Sequence, residues 1–293
     1  MKIVTYGYDP ELMVFDHDQS KIVSAIPVLK RNKHDPIDLG DGIKTYADNV
    51  LLEFSTPPSA SKVSAIQMLR HAFKKIQAHL GSRYSLVARA AHNYGTEELG
   101  PKPEVMVGDL PVEWEIGCNP SMNAYTGREH IPSPFEDDLR TGSFHIHVGW
   151  DRLYHMKDKM DAIKLLDLMV GCPSVIFDKD ESNKSRRKLY GKCGEFRPTP
   201  YGVEWRVLGN YGLRSPRLVE LILDLVDHTL STIEDDLHRK ILEGADWNLV
   251  KSAIDNNNRK LAEIALEDFV PKKFFPRIFE QGDPVLSKEW GIA

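Results

Sequence analysis

The sequence is poor in the features that mark several common protein classes. Its 293 residues include three cysteines, Cys118, Cys172 and Cys193. Their number is odd and no CxxC spacing occurs. Neither a disulfide framework nor a structural zinc site is therefore expected, and a reducing compartment is favoured. No apolar run approaches the roughly 18 residues a membrane-spanning helix requires. The opening MKIVTYGYDPELMVFD carries acid early and lacks the apolar stretch of a signal peptide. These absences predict a cytoplasmic protein with no membrane partner. Positive charge is not in excess: the formal net charge is −5, so nucleic acid is not indicated as a partner. Repeats and low-complexity tracts are absent. Oligomeric state is not legible, and a homo-oligomer stays open.

What is present is ordinary in bulk. Hydrophobic residues make up 41% and charged residues 28%, as in a soluble globular protein with a sizeable core. A strand is expected over Lys2–Asp16, interrupted near Gly7–Pro10, and a second over Lys21–Lys30. Residues 31–46 read as turns, Asp48–Thr56 as a strand closed by Pro57–Pro58, and the following segment as a helix ended by Gly81. Short strands are expected at Ser85–Ala90 and Val112–Glu115. Phe144–Trp150 alternates as a strand does. Lys157–Val170 reads as an amphipathic helix ended at Gly171 and Pro173. Residues 178–201 read as a long basic loop, Val203–Leu208 as a strand, Ser215–Leu242 as a long helix and Asp246–Leu266 as one more. The tail from Pro271 shows little periodicity. The class expected is α+β, a mainly antiparallel sheet with helices on one face, in a single domain over 1–293. The chemistry lies within 1–212, and 213–293 forms its helical C-terminal part.

Several strand-like segments place ionisable groups at period two, which puts them on one face. GYDPELMVFD carries Asp9 and Glu11, RTGSFHIHVGW carries His145 and His147, and GVEWRVLGN carries Glu204 and Arg206. VEWEIGCNP repeats the pattern with Glu113 and Glu115. In DNVLLEFSTPP, Glu53 stands among Leu51, Leu52 and Phe54, where a charge seldom sits without a partner. Any one of these is most simply a water-facing side of a strand. Their joint occurrence points instead to a hard divalent cation, which takes carboxylate oxygens and tolerates an imidazole. The basic stretch SRRKLYGKCGEFRPTPYG adds Arg186, Arg187, Lys188, Lys192 and Arg197, groups suited to phosphate.

The segments GYDPELMVFD, LLEFSTPP, RTGSFHIHVGW and GVEWRVLGN resemble, in this order, the catalytic strands of the glutamine synthetase and carboxylate–amine ligase superfamily. The combination of DPE, LEFSTPP, HIHVG, YGKCGEFR and YGVEWR is most similar to the compact amidoligases often encoded by tailed phages, the COOH-NH2 ligase type 2 group. The resemblance covers residues 1 to about 212. It implies a glutamine-synthetase-like catalytic fold, ATP, and Mg²⁺ or Mn²⁺. It also implies that Glu11 and Glu53, with Glu115, hold one cation, and that Asp9, His145 and Glu204 hold another between the ATP phosphates. His147 would lie near the γ-phosphate. Arg197 and Arg206 would bind phosphate or an acyl-phosphate, assisted by Arg186 or Arg187 and Lys192. Position 9 is Asp where the larger synthetases have Glu.

The reaction so implied is ADP-forming amide synthesis between a carboxylate and an amine, with Glu53 and Glu195 as candidates for the base. Competing readings are a guanidino-kinase-like phosphotransferase, a metal-dependent hydrolase, and a non-catalytic binding protein on the same fold. The two substrates are not legible in the sequence.

Overall fold

The structure, a computed structural model, describes residues 4–100, 102, 121–130 and 138–292. Glu113, Glu115, Cys118 and the strand expected at Val112–Glu115 lie outside the described residues. The first half of the chain forms β1 (Thr5–Asp16), β2 (Lys21–Val23), α1 (Ala25–Leu29), β3 (Ile37–Asp38), β4 (Lys44–Asp48), β5 (Leu51–Ser55) and α2 (Lys62–Leu80). These are followed by β6 (Tyr84–Val87), β7 (Ala91–Asn93), α3 (Thr96–Leu99), β8 (Ser121–Asn123), β9 (Arg128–His130), β10 (Leu139–Thr141) and β11 (Phe144–Gly149). Then come α4 (Met156–Leu166), α5 (Cys172–Phe177), α6 (Asn183–Leu189), β12 (Glu195–Thr199) and β13 (Gly202–Trp205). The chain ends in α7 (Pro216–Glu234), α8 (His238–Gly244), α9 (Trp247–Asp255), α10 (Arg259–Leu266), α11 (Phe275–Phe279) and α12 (Leu286–Trp290).

The class is α+β, as the patterning indicates. The main sheet runs β3-β4-β5-β1-β11-β13-β12-β8-β9, with β2 and β6 also paired to β1. Its strand pairings are antiparallel. Alternation along each central strand gives the sheet two different faces. Leu12, Phe144, Ile146, Val148, Phe196, Val203 and Trp205 belong to one buried apolar cluster with α2, α4 and α7. The intervening residues face a cavity. In α7, Leu218, Leu221, Ile222, Leu225 and Leu230 are fully or almost fully buried, and truncating one such leucine to Ala costs about 2–5 kcal/mol. Among the described residues, no helix is long and apolar enough to cross a membrane.

Several boundaries differ from those read in the sequence, each for a local reason. β1 continues through Gly7–Pro10 as one twelve-residue strand, because Asp9 and Pro10 pair in register with His145 and Phe144. The strand expected over Lys21–Lys30 stops at Val23. Ser24 then caps α1 by accepting the Ile26 N–H. The helix expected to stop at Gly171 and Pro173 runs on through a π-helical turn, Asp167–Gly171, into α5. The wider turn places Pro173 in the first turn of α5, where its missing N–H is tolerated. The long C-terminal helices are each two: Asp236 and Asn257 adopt φ of 56° and 47° and end the regular turns. Residues 178–201, expected as a long basic loop, contain α6 and β12. The tail folds back so that Trp290 is buried against Phe73, its ring 4.9 Å away, and donates Nε1–H to the Leu213 carbonyl (2.6 Å).

Two glycines permit close approaches that the site requires. A Cβ on Gly142 would stand 2.8 Å from Asn210 Nδ2, which donates to the carbonyls of Glu11 (2.9 Å) and Arg89 (3.1 Å) and ties down β1. Gly202 turns β12 into β13 at φ +155°, and a Cβ there would lie 2.0 Å from the Val148 carbonyl.

Candidate active site

β1 is the centre of the site. Its register sets Asp9 opposite His145 and Glu11 opposite Glu53, while β13 sets Glu204 opposite both His147 and Arg197. These side chains share one sheet face because their positions differ by even numbers along strands of fixed register. All of them except His147 line a cavity of about 510 Å³ with Tyr46, Asp48, Lys33, His34 and Arg206. Beside it a compartment of about 450 Å³ shares Asp9, Tyr46 and Glu53. Its further walls include Gly7, Gly149, Pro58, Tyr201 and His147.

Two trios stand out on the cavity floor. The first is Asp9, His145 and Glu204; the second is Glu11, Asp48 and Glu53. Within each, one donor atom per residue lies within 4.8 Å of the others. The first trio matches the set implied by the resemblance. In the second, Asp48 joins Glu11 and Glu53. It ends β4 at a tight hairpin in which Asn49 takes the left-handed conformation (φ 54°), one that Asn tolerates.

The first trio is surrounded by nitrogen donors. Asp9 Oδ1 lies 3.4 Å from His145 Nδ1 and 3.1 Å from His147 Nε2. Glu204 Oε2 accepts from Arg197 (2.7 Å), and its Oε1 lies 3.2 Å from Arg206 Nε. Burial opposes ionisation of Asp9, but His145 and His147 outweigh it and hold the carboxyl below its ordinary range. His147 is shifted upward: burial works against its charge and Asp9 more than compensates. Tyr201 fixes the other edge of that ring, its hydroxyl 2.8 Å from His147 Nδ1. Tyr190 backs His145 at 3.5 Å, and Arg206 lies over the Tyr190 ring at 5.1 Å.

The second trio is three acids together. Burial, followed by the charges of Asp9, Asp48 and Glu11, pushes the Glu53 carboxyl well above its ordinary range. Burial also raises Glu11, against the pull of His145. The Tyr46 hydroxyl donates to Glu53 Oε1 (2.8 Å) from the residue directly across the β4–β5 ladder.

The donors suit hard divalent cations: carboxylate oxygens, with one imidazole in the first trio. Asp9 Oδ1 and Glu204 Oε1 are buried and accept no well-formed hydrogen bond among the described residues. Such atoms are rare without a partner. A cation bridging the first trio would satisfy them, and one in the second would relieve its mutual repulsion.

Four residues assigned to the site from the sequence do not line the cavity. Arg186 lies on α6 and is fully buried; its guanidinium donates to the carbonyls of Arg206, Val207 and Leu208 and to Ser143 Oγ. Arg187 is likewise buried and donates to the Gly191 carbonyl. The Glu195 carboxylate accepts the Gly191 N–H (2.8 Å). Lys192 sits between α6 and β12, its carbonyl accepting the Glu195 N–H (3.1 Å). Arg186 and Arg187 thus fold inward, and Arg186 braces the segment that follows β13. Asp48, Tyr46, Tyr190, Tyr201, Lys33 and His34 are the cavity and supporting residues that sequence reasoning missed. Alternation from Glu53 could not reveal them, because they belong to turns and to partner strands.

Comparison with known proteins agrees with the resemblance seen in the sequence. Residues 134–253 match the family model described as Phage phiEco32-like COOH.NH2 ligase-type 2. The matched segment carries His145, His147, Arg197, Glu204 and Arg206. No curated protein matches the chain significantly. Among solved structures, the crystal structure of a bifunctional glutathione synthetase from Pasteurella multocida aligns at 11% identity and a TM-score of 0.42. The alignment covers 99% of this chain and 51% of that one, so the chain spans about half the length of that protein.

Proposed function

We propose that the protein is an ATP-dependent carboxylate–amine ligase that forms an amide through an acyl-phosphate and releases ADP and phosphate. The observation that carries this reading is the pair of ligand trios on one sheet face, with Arg197 and Arg206 against Glu204. The family match over residues 134–253 supports it. We take residues 1–293 as one catalytic domain, since one buried cluster extends from Val4 to Ile292.

The compartment of Tyr46, Tyr201, Pro58, Gly7 and Gly149, bordered on the cavity side by Asp9, Glu53 and His147, would take the nucleoside. The phosphates would then pass Asp9, His145 and Glu204, with the acid substrate in the charged cavity beyond. Bound in the two trios, Mg²⁺ or Mn²⁺ would neutralise phosphate charge and polarise the transferring phosphoryl group. A carboxylate oxygen of the acid attacks the γ-phosphorus, and ADP departs. Arg197 and Arg206 offset the charge that spreads over the phosphoryl oxygens. Buried and stacked on Tyr190, Arg206 needs little reorganisation to do so. The amine nitrogen then attacks the acyl carbon, phosphate leaves, and the surplus ammonium proton passes to a carboxylate. Glu53 is the candidate for that step, because it lines the cavity and Tyr46 fixes one of its oxygens. Glu195, held by the Gly191 N–H outside the cavity lining, is not.

The test is ADP release from ATP and Mg²⁺ against pools of carboxylic acids and amines, with mass spectrometry for dehydrative products. ADP should require both pools, and the product should contain both less one water. ADP formed with a single phosphorylated substrate and no amide would establish the phosphotransferase instead.

A further inference from the structure

Arg140 lies on β10, outside the cavity lining, and is only 1% exposed. A charged side chain is seldom buried so completely, because its desolvation has to be matched by well-placed acceptors. Its Nε donates to Asn49 Oδ1 (3.1 Å) and its Nη1 to the Leu139 carbonyl (3.1 Å). Asn49 is the residue after Asp48. It takes the left-handed conformation (φ 54°) in the turn from β4 to β5, and its Oδ1 also accepts the Val50 N–H (2.9 Å). The Val50 carbonyl in turn accepts the Ala25 N–H (2.8 Å). The turn beside Asp48 is thus held from outside as well as by its own ladder.

The stretch that carries Arg140 runs past the other ligands. β10 pairs with β7, Arg140 opposite His92, and the Gly142 N–H donates to the Ala90 carbonyl (2.9 Å). The Ser143 carbonyl then accepts the Glu11 N–H (2.9 Å), and β11 follows with His145. One short stretch therefore holds the Asp48 turn through a side chain, meets Glu11 through its backbone and bears the imidazole of the first trio. Glu53 has the Tyr46 hydroxyl to fix one oxygen. Asp48, at the end of its strand, depends on the turn that follows it.

We propose that Arg140 is a positioning residue: by gripping Asn49 it holds Asp48 in reach of Glu11 and Glu53, and so sets the second cation site relative to the first. This rests on the reading above in which both trios take divalent cations. Arg140 contacts neither cation nor substrate. Its bond acts on the backbone, since Asn49 Oδ1 joins the guanidinium to the Val50 N–H. Without that bond the Asn49–Val50 turn would be free to shift, and the Asp48 carboxylate would shift with it.

Calorimetric titration of the full chain with Mn²⁺, without nucleotide and well below the melting temperature, tests this. Wild type should bind two ions. Arg140→Met should weaken the site that Asp48→Asn weakens, by about tenfold or more, the usual scale for losing a residue that orients a ligand, and should leave the other site unchanged. Arg140→Lys, which keeps the charge and a donor, should recover part of the loss. Asn49→Gly keeps the left-handed turn and removes the acceptor. It should reproduce Arg140→Met, and it decides the matter alone if that variant does not fold. Because Arg140 acts through Asp48, adding Arg140→Met to Asp48→Asn should cost little further affinity. Unchanged affinity in folded Arg140→Met or in Asn49→Gly, with only the melting temperature lowered, would make Arg140 a purely structural residue and overturn the inference. Equal weakening of both sites, or full additivity in the double variant, would overturn it too. A wild type that takes no ion in the second trio would contradict the paired-cation reading itself, and the role of Arg140 with it.

Discussion

The two trios are built from similar residues a few ångströms apart, yet their surroundings are opposite. Asp9 and Glu204 stand among two imidazoles and two guanidinium groups. Glu11, Asp48 and Glu53 stand mainly among one another, and burial raises Glu11 and Glu53 while Asp9 is lowered. The chain sets imidazole and guanidinium groups against one trio, while the second is left chiefly with the mutual repulsion of its acids. Ionised carboxylates on neighbouring strands are tolerated in a fold where charge is supplied to them, and the sheet supplies it unevenly.

Breaking each trio at one acid gives the largest expected contrast. Glu53→Gln removes a ligand and the candidate base, and should lower ADP-forming turnover by about 10³-fold. It should also raise the melting temperature of the metal-free protein, because one member of a repelling group is gone. Asp9→Asn should lower turnover too, but it should lower the melting temperature, since His145 and His147 lose their carboxylate. Equal and same-signed shifts in melting temperature for the two variants would remove the distinction. Next in size is Arg206→Lys, which keeps the charge and loses the planar fork. It should cost about 3 kcal/mol of transition-state stabilisation, about a hundredfold in turnover. Because Arg206 is buried against Glu204, stability should fall as well; near-normal turnover would place Arg206 outside the chemistry. Asp48→Asn should weaken Mn²⁺ binding at least about tenfold, read by calorimetry, and leave the first trio's affinity intact.

How much of this was legible depends on periodicity. Asp9 with Glu11, His145 with His147, and Glu204 with Arg206 each lie two apart on a strand, so a common face followed from the sequence once the strands were recognised. The apolar residues between them, such as Ile146 and Trp205, carried the matching information about the helix-covered face. Asp48 was missed because its role arises from the hairpin pairing β4 with β5, a long-range register that local spacing does not encode. Arg186 and Arg187 were misplaced for the converse reason. A run of basic residues reads as solvated, but α6 turns both guanidinium groups onto buried carbonyls. The π-helical turn before Pro173 escaped notice because Gly and Pro ordinarily end helices, and here the packed helix runs through them.

A smaller effect sharpens the comparison through pH. The raised carboxyls of Glu11 and Glu53 contribute stability to the metal-free protein that is fully present below their unfolded value, about 4.3, and is lost as pH rises through their folded values. Asp9 acts in the other direction, its contribution being lost only as pH falls below the ordinary carboxylate range. Chemical denaturation of metal-free protein from pH 4 upward should therefore show a decline that Mg²⁺ flattens. A profile unchanged by Mg²⁺ would mean that the second trio does not take the ion.

The central claim is that the cavity holds two cations, one in each trio. Anomalous diffraction from crystals grown with Mn²⁺ and a non-hydrolysable ATP analogue tests it most directly. The account predicts one manganese peak bonded to Asp9, His145 and Glu204 and another bonded to Glu11, Asp48 and Glu53, with Arg206 beside the terminal phosphate. Manganese bound elsewhere, with the two trios bare beside a bound nucleotide, would contradict it.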